Sequence, residues 1–263
     1  MLHSKLKNMS TLPYIVSICS YNAYQKQGMT RYLQSLSSNV KSPYELILFG
    51  YAPHEVTPFV LADNVRMYNS NEPYPGNLHR FDALYALSEH EMDHYRWMIF
   101  TDAVDVVFQI DLPNLNNYET HRDTVYVASE GETWSESSWF PVLQEQVGVP
   151  FIDAMHDKMI LNAGSWCMRV ETFRKMYEYM IKRSKDYGDH PWSDQPIYNE
   201  FMYSGDIVPT IHPSLFLTLY KNIELGNALK VNNQFCNTKG ELFNIVHGNG
   251  SSKVLLEEGN TND

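Results

Sequence analysis

The sequence predicts an α/β fold: a single domain built on a mostly parallel central sheet flanked by helices. Three observations predict it. Apolar, β-branched runs alternate with segments of helical periodicity through the first hundred residues, which is the pattern of βαβ units. A chain of 263 residues with 43% hydrophobic content is long enough for one continuous core. No repeat, low-complexity tract or linker interrupts it.

The elements follow in order. Tyr14 to Ser20 is an apolar run rich in β-branched residues and reads as a strand; Met29, Tyr32, Leu33 and Leu36 then recur at helical spacing. Tyr44 to Gly50 and Val65 to Tyr68 read as the second and third strands, ahead of the turn Pro73-Tyr74-Pro75-Gly76. Leu78, Phe81, Leu84, Tyr85 and Met92 mark an amphipathic helix that leads into the strand Trp97 to Phe100. Beyond it lie strands at Val106 to Phe108, Thr124 to Ala128, Met159 to Met168 and Leu242 to Val246, with helices over Glu171 to Arg183 and Ser193 to Met202. Residues 1–12 read as an N-terminal extension, 13–255 as the domain and 256–263 as a frayed tail.

Composition narrows the function classes. A formal net charge of −11 repels polyanions and disfavours duplex DNA binding through a broad basic face. Cys19, Cys167 and Cys236 lack metal-ligand spacing and read as buried thiols in a reducing compartment. With no signal-peptide pattern and no apolar run of about 20 residues, a cytoplasmic protein without a membrane partner is expected. Eighteen Tyr and five Trp exceed what a minimal core needs and suit a cleft that packs flat rings.

In open α/β sheets ligands sit beyond the carboxyl ends of the strands, so Asp102 and Asp105, just after the strand Trp97 to Phe100, lie where a ligand is expected. Two carboxylates can share a divalent cation but cannot fill its shell, and substrate phosphates commonly supply the rest. A D-x-x-D pair alone is equally a strand-end cap or turn. The late strand ends in His247, followed by Gly248-Asn249-Gly250 and Lys253. The imidazole offers a nitrogen ligand, which favours Mn²⁺ over Mg²⁺; Gly248 and Gly250 let backbone approach phosphate oxygens; Lys253 supplies a point charge for a diphosphate.

These segments resemble a known family, the glycosyltransferase domain of the procollagen lysyl hydroxylases, and more distantly the glycogenin-like transferases. The resemblance covers most of the chain. It rests on Thr101 to Phe108, Ala128-Ser129-Glu130 with Trp134, Leu161-Asn162-Ala163-Gly164, Ser193-Asp194-Gln195 with Tyr198, and Val246 to Gly250 with Lys253. It implies a GT-A, Rossmann-like fold, a UDP-sugar donor, and Mn²⁺ (or Mg²⁺) on Asp102, Asp105 and His247. Glu130, Trp134, Asn162 and Asp194 would line the sugar side of the cleft. Ser20 and Tyr21 would hold the nucleotide base, and Arg80 the diphosphate. The family's run of aspartates is replaced here by Tyr187 to Asp194, of which only Asp194 matches.

Each of these residues also has a reading of its own. Asn162 offers a donor and an acceptor to sugar hydroxyls, or is a loop Asn. Asp194 caps a helix or stands beside the reacting centre. Glu130 sits at a strand end, where exposure is ordinary. Trp134, among Glu132, Ser135 and Glu136, is poorly placed for a core and reads as a mobile stacking lid. The expected reaction moves a hexose, from UDP-glucose or UDP-galactose, to an acceptor hydroxyl on a protein side chain, glycan, small molecule or modified nucleobase, with retention by analogy to the glycogenin-like enzymes. A metal-dependent nucleotidyltransferase or phosphotransferase, and a catalytically silent nucleotide-sugar binder, are the alternatives.

Overall fold

A computed structural model describes residues 13–17, 26–51, 64–70, 76–92, 97–115, 123–139, 141, 145, 154–187 and 193–257. Its central sheet has the order β3-β2-β1-β4-β7-β6-β8. The strands are β1 (Pro13–Ser17), β2 (Leu46–Tyr51), β3 (Val65–Ser70), β4 (Trp97–Thr101), β6 (Thr124–Thr133), β7 (Met159–Met168) and β8 (Val208–Thr210). Between β4 and β6 in the chain comes β5 (Val106–Phe108), which lies in a separate three-stranded sheet with β9 (Phe216–Thr218) and β12 (Ile245–His247). A hairpin of β10 (Ala228–Val231) and β11 (Gln234–Asn237) completes the strands among the described residues.

The sheet is mixed, which corrects the expectation of a mostly parallel one. Pairings β1–β2, β2–β3, β1–β4 and β6–β8 are parallel, but β7 runs antiparallel to both β4 and β6. The two longest strands, β6 and β7, are therefore an antiparallel pair. Alternation of strand and helix dictates parallel crossovers only in the first half of the chain.

Side-chain alternation along the strands sorts the core into two layers. Ile47, Phe49, Met98, Phe100, Val125, Val127, Trp166 and Met168 face the helices α2 (Asp82–His90), α3 (Val170–Tyr187) and α4 (Asp194–Met202). Leu46, Leu48, Trp97, Ile99, Tyr126 and Cys167 face the opposite way, onto α1 (Lys26–Asn39) and the small sheet. Because both faces are covered, β4 is buried at every position. Cys167 and Cys236 are buried free thiols, as expected; Cys19 lies outside the described residues.

A third cluster gathers Leu217, Leu219, Phe235, Phe243 and Val246 under α5 (Leu219–Glu224) and α6 (Val254–Glu257). Leu256, placed in the tail by the sequence reading, belongs to it at 8% exposure, and its apolar side chain closes over Gly248. The late strand read as Leu242 to Val246 is shorter and shifted, with Leu242 bridging Cys236 instead.

Candidate metal centre

Two strand ends build this site. In the main sheet Thr101 pairs with Ser165, and the ladder continues past β4 as the Asp102 amide donates to the Gly164 carbonyl at 2.8 Å. In the small sheet His247 pairs with Val106, and the Gly248 amide donates to the Asp105 carbonyl at 2.7 Å. The loop joining β4 to β5 thus spans both sheets. Ala103 is plugged into the core, and Arg31 donates to the Val104 carbonyl at 3.1 Å, which fixes the spacing of the two aspartates.

The expected triad converges. Ligand atoms of Asp102, Asp105 and His247 lie within 4.8 Å of one another. His247 Nε2 is 3.6 Å from Asp102 Oδ2 and 3.5 Å from Asp105 Oδ1. A divalent ion with bonds of about 2.1 Å spaces its ligand atoms roughly 3 to 4 Å apart, so these separations fit one cation. Oδ1 of Asp105 is buried with no hydrogen-bond partner among the described residues, the kind of polar atom that a cation would satisfy.

Behind the imidazole, Nδ1 lies 3.2 Å from Asn162 Oδ1 and 3.1 Å from Ser165 Oγ. The Ser165 hydroxyl donates to the Gly164 carbonyl, and Asn162 Oδ1 already accepts the Gly164 amide at 2.8 Å. With Asn162 Oδ1 accepting, the Nδ1 proton is placed toward Asn162 and the Nε2 lone pair toward the carboxylates, the tautomer a metal-binding histidine needs. Burial lowers the pKa of His247, but Asp105, Asp102 and Glu130 together outweigh it and raise the value. Burial likewise raises that of Asp105, yet His247 and Lys253 hold it well below the carboxylate range.

Gly164 is required by space. A β-carbon there would stand 2.8 Å from His247 Cε1 and closer still to Asp102 Oδ2. Gly248 packs against Leu256, whose Cδ1 lies 2.7 Å from the position a β-carbon would take, a packing role distinct from the phosphate approach expected of it. Gly250 opens the 3-10 turn Gly250–Lys253. Lys253 Nζ reaches Asp105 Oδ2 at 2.9 Å with its side chain half exposed.

The four expected sugar-side residues, Glu130, Trp134, Asn162 and Asp194, all border the cleft, but more deeply buried than the sequence suggested. Trp134 is 2% exposed and part of the main core, which overturns its reading as a mobile lid. Its polar neighbours close the turn around it: Thr133 and Glu136 form a capping box for the 3-10 turn Trp134–Glu136. Glu130 is buried. It accepts from Asn162 Nδ2 at 2.6 Å and from Asn249 Nδ2 at 2.6 Å, and burial raises its pKa against those donors. Asn162 is thereby held at both amide atoms, with its oxygen against His247 Nδ1.

Arg80 is buried as well, so it is not a free cation awaiting a diphosphate. It forks between Asp102 Oδ1 at 2.7 Å and Asp194 Oδ2 at 3.0 Å, over the rings of Phe81 and Phe100. Asp194 is the first residue of α4, with Ser193 at the cap position; burial raises its pKa, opposed by Arg80. Ser20 and Tyr21 lie outside the described residues.

The metal-ligand triad and its neighbours open on one cleft of about 460 Å³, within the range of small-molecule sites. Its wall includes Asp102, Asp105, Glu130, Asn162, Trp134, Asp194, Arg80, His247 and Lys253. The chain matches no protein-family model and no curated protein sequence. Sequence reading passed over Ser165 and quoted Gln195 and Asn249 within motifs without giving either a role. Gln195 donates to Glu130 at 3.4 Å, and Asn249 ties the glycine turn to the same carboxylate. The sequence signal for each was a polar side chain close to a residue already singled out: the hydroxyl of Ser165 and the amides of Gln195 and Asn249.

Proposed function

We propose that this chain is a metal-dependent glycosyltransferase of the GT-A type, moving a hexose from UDP-glucose or UDP-galactose to an acceptor hydroxyl. The observation that carries the reading is the convergence of Asp102, Asp105 and His247 beside Lys253 in one cleft. Five carboxylates line that cleft, Asp102, Asp105, Glu130, Glu132 and Asp194, against two permanent cations, Arg80 and Lys253. A diphosphate would be repelled there unless a divalent ion stood between. The His247 nitrogen favours Mn²⁺, with Mg²⁺ also served by the oxygens.

When bound, the ion supplies charge neutralisation for the departing nucleoside diphosphate. Asp102, Asp105 and His247 hold it; Asn162 and Glu130 keep the imidazole turned toward it. Lys253, half exposed and paired with Asp105, would turn toward the diphosphate. Arg80 keeps Asp102 and Asp194 in fixed positions. In transfer the acceptor oxygen bonds to the anomeric carbon, the bond to the diphosphate oxygen breaks with its electron pair, and the acceptor proton leaves to the diphosphate.

Incubation with Mn²⁺ and a panel of UDP-sugars tests the proposal. UDP should be released, and the release should stop on adding chelator and in Asp105→Ala. Release of pyrophosphate would instead indicate nucleotidyl transfer. Metal-dependent binding with no release under any acceptor condition would indicate a silent binder.

A further inference from the structure

Four of the carboxylates on the cleft wall are engaged by other side chains. Asp102 and Asp194 share Arg80, Asp105 meets Lys253, and Glu130 accepts from the amides of Asn162 and Asn249. Glu132 is the carboxylate left over. It is 6% exposed, no described residue hydrogen-bonds or ion-pairs with it, and its oxygens are not sealed in protein but reach the cleft. Lys221, whose charge acts on Glu132, stays at 2.8 Å from Glu224. A carboxylate that gives up most of its hydration with no protein donor in exchange is an acceptor waiting for a ligand.

The backbone explains its position. Along β6, Ser129 pairs with Leu161 and Thr133 with Met159, so Glu130, Gly131 and Glu132 stand opposite Ile160 alone. A bulge of this kind re-aims side chains beside a site. Gly131 takes a positive φ of 86° and packs against Asn222, which donates to the Ser129 carbonyl at 2.8 Å. The bulge is thereby fixed, with both glutamates on the cleft wall. Two residues of chain span at most about 7 Å. The backbone of Glu132 is therefore within that reach of Glu130, whose partner Asn162 touches His247.

We infer that Glu132 is a specificity-determining residue of the proposed transfer: its carboxylate accepts a hydrogen bond from a hydroxyl of the hexose on the UDP donor. The inference rests on the transferase reading for the identity of the ligand, and on the bulge and the unengaged carboxylate for the contact. A sugar lacking that hydroxyl leaves the carboxylate buried and unpaired, which is what makes such a contact selective. Sequence reading named Glu132 only as a polar neighbour of Trp134.

Calorimetric titration with Mn²⁺ would compare UDP-glucose, UDP-galactose, their monodeoxy analogues and UDP alone, in the wild-type protein, Glu132→Ala and Glu132→Gln. Glu132→Ala should bind the preferred UDP-hexose about 10- to 100-fold more weakly and UDP no more weakly. Its melting temperature should not fall, since no protein contact is lost. Glu132→Gln, whose amide oxygen still accepts, should lose less. One monodeoxy analogue should bind the wild-type protein as weakly as the parent sugar binds Glu132→Ala, and should lose nothing further in the variant. Equal weakening of UDP and UDP-hexose, unchanged UDP-hexose affinity in Glu132→Ala, or a further loss for every deoxy analogue overturns the inference. Mn²⁺-dependent binding of UDP, and its loss in Asp105→Ala, report separately on the transferase reading. Without them both proposals fall; with them only the outcomes above decide Glu132.

Discussion

Gly164→Ala adds a single methyl group at the point where the two sheets meet. Its β-carbon would stand 2.8 Å from His247 Cε1 and 2.9 Å from the Asp102 carboxyl carbon, closer than β-carbons ordinarily come to other atoms. Neither neighbour can step aside cheaply: Asp102 is held by Arg80 at 2.7 Å, and His247 is buried with Nδ1 against Asn162 and Ser165. Gly164 does not have a positive φ, so alanine fits the backbone and the whole effect is steric. Overpacking of this kind costs about 1–3 kcal/mol. Because the strain falls on two of the three proposed ligands, it should appear as a loss of Mn²⁺ affinity of roughly 5- to 150-fold. Titration of Mn²⁺ followed by the EPR signal of the free ion gives the dissociation constant, and circular dichroism confirms the fold. Wild-type affinity in a folded Gly164→Ala protein would refute the geometry.

Three further outcomes follow from the same contacts. The raised pKa of His247 means that the folded, metal-free protein holds this proton more tightly than the unfolded chain. That stability is complete below the ordinary value of 6.5 and is lost as pH rises through the raised one. Melting temperature in chelator should therefore fall as pH is raised above 6.5, with a flatter profile in His247→Gln, while Mn²⁺ affinity moves the opposite way and weakens in acid. Trp134→Ala should cost about 3–5 kcal/mol by urea unfolding; a mobile lid would lose turnover with stability intact. Arg80→Met strands two carboxylates and should cost about 3–5 kcal/mol, with Arg80→Lys recovering only part, since an ammonium lacks the planar fork that meets both.

Much of the architecture was legible because burial on both faces writes itself as apolar runs. β2, β4 and β7 were read close to their observed limits, and helices α1 to α4 from their periodicity. Strand direction has no such signature, which is why the reversed β7 was missed. The short strands β8 and β9 and the β10–β11 hairpin also escaped: each spans three or four residues, and Val208, Leu229 and Val231 point outward. In the site, the carboxylate pair and the histidine turn were visible as motifs, and the register of β5 with β12 explains why they meet. Burial of polar groups was the hidden part. Glu130 and Arg80 look like surface residues until their partners are known, and those partners lie 32 to 119 positions away for Glu130 and 22 to 114 for Arg80. Trp134 misled in the opposite sense, because the polar residues around it serve the capping of its own turn.

The metal centre itself is tested most directly by pulsed EPR of Mn²⁺ added to the protein with UDP. One stoichiometric ion should bind, coupled to a single histidine nitrogen, and that coupling should vanish in His247→Ala. Binding with no nitrogen coupling in the wild-type protein, or no stoichiometric binding at all, would contradict the account.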